Sequence, residues 1–216
     1  MTGSIRCFVA IELPGELRER ITEAVTFLKS SRTLVKWVPP ENLHLTVKFL
    51  GGVPEEDLPQ LIKVLEEAVR ETKPFEIEVS GAGVFPGMKY PRVFWIGARD
   101  PGAGLERLAD RVEGALEHFG PGYPREKRGF TAHLTIGRLR ERARLKGEEA
   151  QGLASGLATL KDVLFGKIKL ENISLMRSEL GPGGARYSRL AKIEFGGFQK
   201  TENMPVKKFL EEEMET

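Results

Sequence analysis

In 216 residues the chain has one cysteine, Cys7, three histidines and two tryptophans. A single cysteine excludes an internal disulfide and a cysteine-based zinc site, and it fits a reducing compartment. Long apolar runs are also missing. The stretch Cys7-Phe8-Val9-Ala10-Ile11 is stopped by Glu12 and Pro14, too soon for a membrane span or the core of a signal peptide. The expected location is therefore the cytoplasm, with no membrane attachment. Nor is there an excess of charge of one sign. The net charge is +2, so attraction for nucleic acid would have to come from a local patch. No proline- or serine-rich linker divides the chain. There is no Gly-x-x-x-x-Gly-Lys run for a phosphate loop, and after Gly102-Ala103-Gly104 the third glycine of a dinucleotide fingerprint is replaced by Arg107.

What is present describes a soluble globular protein: 40% hydrophobic and 30% charged residues, in a chain long enough to bury a real core. Periodicity predicts a buried strand over Ile5 to Leu13. A helix follows from Pro14 to about Ser30, with Leu17, Ile21, Ala24, Val25 and Leu28 on one face. Val35 to Val38 is extended, and a strand from Leu43 to Leu50 ends at Gly51-Gly52. Pro54 opens a second helix with Leu58, Leu61, Ile62, Leu65 and Val69 inward. Strands are predicted at Phe75 to Val79, Arg92 to Ala98 and Thr131 to Leu139, with a third helix over Leu105 to Phe119. A charged connector, Arg140 to Glu149, leads to a short helix near Leu153 to Leu160. Two last strands, Val163 to Met176 and Arg186 to Phe195, flank the turn Gly181-Pro182-Gly183-Gly184. The charged tail after Thr201 reads as a loose helix.

Two of the three histidines share one setting, His44-Leu45-Thr46-Val47 and His133-Leu134-Thr135-Ile136, 89 positions apart. In a strand, alternate side chains point to opposite faces, so each motif offers an imidazole and a hydroxyl on one face and apolar residues on the other. Cleaving a phosphodiester in line needs a base and an acid on opposite sides of phosphorus. One strand cannot supply both, but two strands from two lobes can. Imidazole suits either task near neutrality. The hydroxyls of Thr46 and Thr135 would donate to the non-bridging oxygens, and no metal is required. The expected architecture is α+β: two similar lobes of antiparallel sheet with helices outside, and the motif strands facing across a cleft. Residues 1–200 form this single bilobal domain and 201–216 the charged tail. His118, near the end of the third helix, is read as a surface residue favoured by the helix dipole.

At these residues the chain resembles the two-histidine phosphoesterases, and within them the RNA 2′,3′-cyclic phosphodiesterases of the LigT type. The stretch from Trp37 through Pro39-Pro40-Glu41-Asn42-Leu43 to Gly51 is similar to that family's first signature, and Phe130 to Leu139 to its second. Arg6 to Ile11 and Pro91 to Gly97 resemble two of its other strands. Ala132 stands where many members carry proline, a matter of strand entry. The resemblance implies metal-free, cofactor-free opening of a terminal 2′,3′-cyclic phosphate on RNA, tRNA fragments among the substrates; a monomer is expected. By motif position His44 would be the proton donor to the 3′ oxygen and His133 the proton acceptor from water. It also implies a link to making and breaking 2′-5′ RNA linkages. Another cyclic phosphoester as substrate, or a non-catalytic module that binds RNA ends, are the competing readings.

Other residues invite a role. Lys48 falls on the His44 face and either neutralises phosphate or is a solvated strand-end lysine. Arg138 falls on the face opposite His133 unless a twist or bulge turns it. Arg177, Arg186 and Tyr187 lie near the last turn, and Trp37 and Trp95 either stack on a base or fill the core. Arg125, Lys127 and Arg128 precede the second motif as a basic loop.

Overall fold

The computed structural model describes residues 3–29, 34–120, 122–141, 143–182 and 184–197. The expected tail helix, at 201–216, lies outside the described residues. Among the described residues nine strands form one antiparallel sheet, and four helices cover one face of it. In chain order these are β1 (Ser4–Glu12), α1 (Gly15–Leu28), β2 (Val35–Trp37), β3 (His44–Pro54), α2 (Leu58–Val69), β4 (Phe75–Phe85) and β5 (Val93–Arg99). Then come α3 (Gly104–Phe119), β6 (His133–Leu139), α4 (Gly147–Leu160), β7 (Leu164–Leu170), β8 (Asn172–Gly181) and β9 (Gly184–Glu194).

The strand order β7-β4-β5-β6-β3-β1-β8-β9 divides evenly: four strands a side, with the two motif strands, β3 and β6, meeting at the centre. Their junction is narrow. β3 and β6 pair at Leu45 and Leu134, while the rest of that edge of β6 is taken by β2, with Val35 against Leu139 and Trp37 against Gly137. A strand edge holds one partner at a time, so β2 keeps β3 from zipping along β6, and the two half-sheets diverge from the shared seam. Gly137 fits this arrangement, since a Cβ there would meet Val35 Cγ1 at 2.7 Å and the Trp37 ring at 2.9 Å.

Leu45 and Leu134 are fully buried on the helix side, and sealing each from water contributes about 1.5–3 kcal/mol. The apolar faces expected of α1 and α2 are the buried ones. Their assignment to lobes is less obvious. α1 follows β1 but packs on the opposite half-sheet, against α4 and β7, with Arg20 Nη1 donating to Phe165 O at 3.1 Å. α3 follows β5 but packs on α2 and β3. The two helices are exchanged between halves, and one apolar cluster runs through both.

Three expectations about the strands need correction, and among the helices α2 starts at Leu58 and not Pro54, and α4 at Gly147 and not Leu153. β3 does not stop at Gly51-Gly52 but runs on to Pro54. Leu50 is bulged out between the Cys7–Gly51 and Phe8–Phe49 pairs, and Gly51 takes a φ of +72°, which glycine adopts without steric cost. The span Val163 to Met176 is two strands. β7 pairs with β4 at one edge of the sheet, the chain crosses at Glu171, and β8 pairs with β1 in the other half. An apolar pattern alone does not mark such a crossing. Finally, β4 extends to Phe85, six residues past the expected end.

Candidate active site

Proline at 39 and 40 closes a single 3-10 turn, Pro40–Asn42, that sets the entry to β3, and the Asn42 amide holds it to Ala185 O of β9 at 2.8 Å. The turn leaves the Asn42 carbonyl 2.8 Å from His44 Nδ1. The second motif repeats the device: His133 Nδ1 lies 2.7 Å from Thr131 O. A carbonyl only accepts, so Nδ1 carries the proton in both rings and Nε2 is left for chemistry. In the neutral His44 ring, Nε2 accepts from the Thr46 hydroxyl at 2.9 Å. Protonating Nε2 reverses that bond and frees the Thr46 hydrogen for another acceptor.

The pairing of Leu45 with Leu134, continued one residue each way, sets His44 opposite Thr135 and Thr46 opposite His133. The four polar residues thus form a rectangle with the imidazoles at opposite corners. Strand rise and strand spacing make that diagonal about 8 Å between Cα atoms, room for one tetrahedral phosphate between two rings. Each ring is steadied by aromatics. His44 lies against Phe8 (centroids 4.8 Å) and meets Tyr187 edge-on at 5.3 Å, while His133 meets Phe85 edge-on at 5.1 Å.

Burial holds the His44 imidazole below the ordinary histidine value. The bond to Asn42 O opposes this, Arg138 adds to it, Glu12 opposes it, and His133 adds a little more. Glu12 is opposite His44 in the β1–β3 register and is itself engaged by Ser174 Oγ at 2.5 Å and Arg189 at 3.1 Å.

Both motif strands carry a bulge at the same place. Val47 is the extra residue between the Ala10–Thr46 and Val9–Lys48 pairs, and Ile136 between the Trp95–Thr135 and Phe94–Gly137 pairs. A bulge shifts the alternation by one residue, with opposite results for two cations. Lys48 turns away from His44 to the helix side, only 4% exposed, where Nζ meets Glu113 Oε1 of α3 at 3.3 Å and donates to Pro124 O at 2.7 Å. Glu113 Oε2 also accepts from Glu126 N at 3.0 Å. Lys48 is therefore neither of the things expected of it, but a tie from β3 to the loop that leads into His133. Arg138 turns the other way, onto the cleft face of His133 and Thr135, close enough to act on His44. Phe49 occupies the matching position in β3.

The remaining candidates divide. Tyr187 reaches the site. Arg177 lies in register with Cys7 on the helix side and bonds Glu179 at 2.9 Å, while Arg186 is set opposite Glu179 on that same face. Trp37 packs on Phe94 in the core, whereas Trp95 packs on Phe85 and lines a cavity of about 650 Å³ beside His133. His118, exposed at the end of α3, bonds Gly114 O at 2.6 Å. Arg125 is tied to Asp110 and Glu117, leaving Arg128 of that loop facing the cleft. Sequence reasoning missed Phe8 and Phe85, which look like ordinary core residues in their strands. Among the described residues no group of three histidine, cysteine or carboxylate side chains is placed to hold a metal, and no helix is long and apolar enough to cross a membrane.

The family model for LigT-like phosphoesterases matches residues 11–95 and 96–187. A curated relative from Methanothermobacter thermautotrophicus, an RNA 2′,3′-cyclic phosphodiesterase, is 38% identical over 187 residues, covering 85% of this chain and 95% of that one. Another from Archaeoglobus fulgidus, of the same name, is 36% identical over 190 residues, covering 88% of this chain and all of its own. Among solved structures, one from Thermus thermophilus superposes with a TM-score of 0.73 at 32% identity, over 90% of this chain and all of that one. E. coli LigT in complex with 3′-AMP gives 0.69 at 26%, over 89% and 98%. With both motif strands inside the matched span, the chain belongs to the LigT-like phosphoesterases.

Proposed function

We propose that the protein is an RNA 2′,3′-cyclic phosphodiesterase that opens a terminal cyclic phosphate to a 2′-phosphate, with His44 as general acid and His133 as general base. The observation that carries this reading is the rectangle of two imidazoles and two hydroxyls at the seam of the half-sheets. The names of the relatives support the substrate class.

In the step envisaged, His133 Nε2 takes a proton from water as its oxygen attacks phosphorus. The P–O3′ bond breaks, and the departing 3′ oxygen takes the proton from His44 Nε2. The products are a 2′-phosphate and a free 3′-hydroxyl. His133 leaves the cycle protonated and His44 neutral, and exchange with solvent restores both. Thr46 and Thr135 donate to the non-bridging oxygens, and the Arg138 guanidinium balances the charge that builds there. With acid, base and countercharge all supplied by side chains, turnover is expected in EDTA. The test is to incubate the protein with a nucleoside 2′,3′-cyclic phosphate in EDTA and identify the product. A 2′-phosphate supports the reading. A 3′-phosphate or no turnover of any cyclic end overturns it.

The pH profile follows from the cleft electrostatics. His44 must enter the reaction protonated and His133 neutral, so the kcat/KM profile, which reports the free enzyme, is a bell with one limb set by each ring. The His44 pKa is below the ordinary 6.5, so one limb is expected below that value. In the complex a phosphate anion beside His44 favours the imidazolium, so the limb that His44 sets is expected at higher pH in the kcat profile. Separate profiles of the two constants check this.

The finer reading is a monomer working on RNA fragments, tRNA pieces among them, in the reducing cytoplasm. Only the reducing compartment draws support from Cys7, the one cysteine, which is free and buried, with a thiol that burial pushes up to about 12 against the pull of Arg177.

A further inference from the structure

Phe49 is 62% exposed, an openness that only Phe27 shares among the phenylalanines of the described residues. The bulge at Val47 explains how it comes to face the cleft but not what it does there. It lines a groove of about 720 Å³ whose inner end is Thr46 and His133, and whose walls include Phe85 and Phe130. Three aromatic rings therefore border a space that opens directly onto the phosphate position.

The charges in the groove are equally specific. Arg92 and Arg128 line it, both exposed and without a carboxylate partner among the described residues. Of the two carboxylates there, Glu113 is occupied by Lys48 and the Glu126 amide, and Glu126 is at the exposed rim. On the other side of Phe85 and His133 is the cavity lined by Trp95, floored by Gly81 and Gly83 and bordered by Ala154 and Leu157. Its lining is mostly apolar, with Arg99 and Lys161 as its cations, and it has room for a base. Aromatic faces beside unpaired guanidinium groups suit a base with its phosphodiester.

We infer that the Phe49 groove holds the nucleotide on the 5′ side of the terminal one, its base against Phe49 and its phosphodiester at Arg92 and Arg128. The inference rests on the RNA-end reading above and deepens it: the protein reads a strand end, not a free nucleotide. The experiment compares kcat/KM for adenosine 2′,3′-cyclic phosphate with that for the dinucleotide ApA ending in the same cyclic phosphate. The protein is expected to prefer the dinucleotide at least tenfold, mainly through KM. Phe49→Ala is expected to cut that preference about tenfold, and Phe49→Trp to keep it. Arg128→Ala is expected to flatten the salt dependence of the dinucleotide KM. Equal turnover of the two substrates by the unaltered protein overturns the inference while leaving the proposed activity standing. So does an equal loss on both with Phe49→Ala. Failure to open either substrate would instead overturn the activity on which the inference rests.

Discussion

Replacing His133 with alanine is expected to lower kcat on a nucleoside 2′,3′-cyclic phosphate by about 10³-fold, and His44→Ala by a similar factor, within the range for a positioned acid or base. The two losses have different origins, and a change of leaving group separates them. A ribose 3′ oxygen is a poor leaving group unless it is protonated as it departs. A substrate with an acidic phenol in its place needs no such help, so His44→Ala should recover most of its rate there, while His133→Ala should remain impaired because water still has to be activated. If both variants recover equally, the assignment of acid and base by strand is wrong. The double variant should be little worse than either single one, because the two groups act in one concerted transfer.

Arg138→Ala is expected to cost about 10²-fold in kcat, the scale of losing one preorganised donor to a developing oxyanion. Arg138→Lys keeps the charge but not the planar fork, and should fall between. A second readout separates a charge in the cleft from a merely structural loss. Arg138 helps to hold the His44 pKa down. Without it that pKa rises, and the limb of kcat/KM that His44 sets moves to higher pH. Arg138→Lys should leave the limb nearly where it was. A loss of rate with no movement of the limb in Arg138→Ala would mean that the guanidinium does not act at the reacting centre.

Arg138 also marks the limit of what the sequence discloses. Alternation from His133 puts it on the wrong face, and alternation from His44 puts Lys48 on the right one. Both assignments fail for one reason, the bulges at Val47 and Ile136. A sign of them was legible: the apolar positions run Leu45, Val47, Leu50 in one strand and Leu134, Ile136, Leu139 in the other. A step of two followed by a step of three is what one extra residue does to a strand buried on one side. The histidines and threonines precede the bulges, and their face is as expected from periodicity. The helices were legible too, because α1 and α2 each keep a full apolar stripe. The exchange of α1 and α3 was not, since a stripe states that a helix is covered without naming the half that covers it. Phe8 and Phe85 stayed hidden because a ring packed under an imidazole leaves the same trace as a ring packed in a core.

That exchange has a consequence for the cleft. Each half-sheet is roofed in part by a helix whose chain belongs to the other half, so the two sides are laced together across their backs. Spreading them would drag α1 off β7 or α3 off β3 and expose core on both sides at once. A machine that must keep a proton giver and a proton taker at a constant span has reason to be built this way. The repeat in this chain is half a molecule, but the smallest part that could hold the span is the whole.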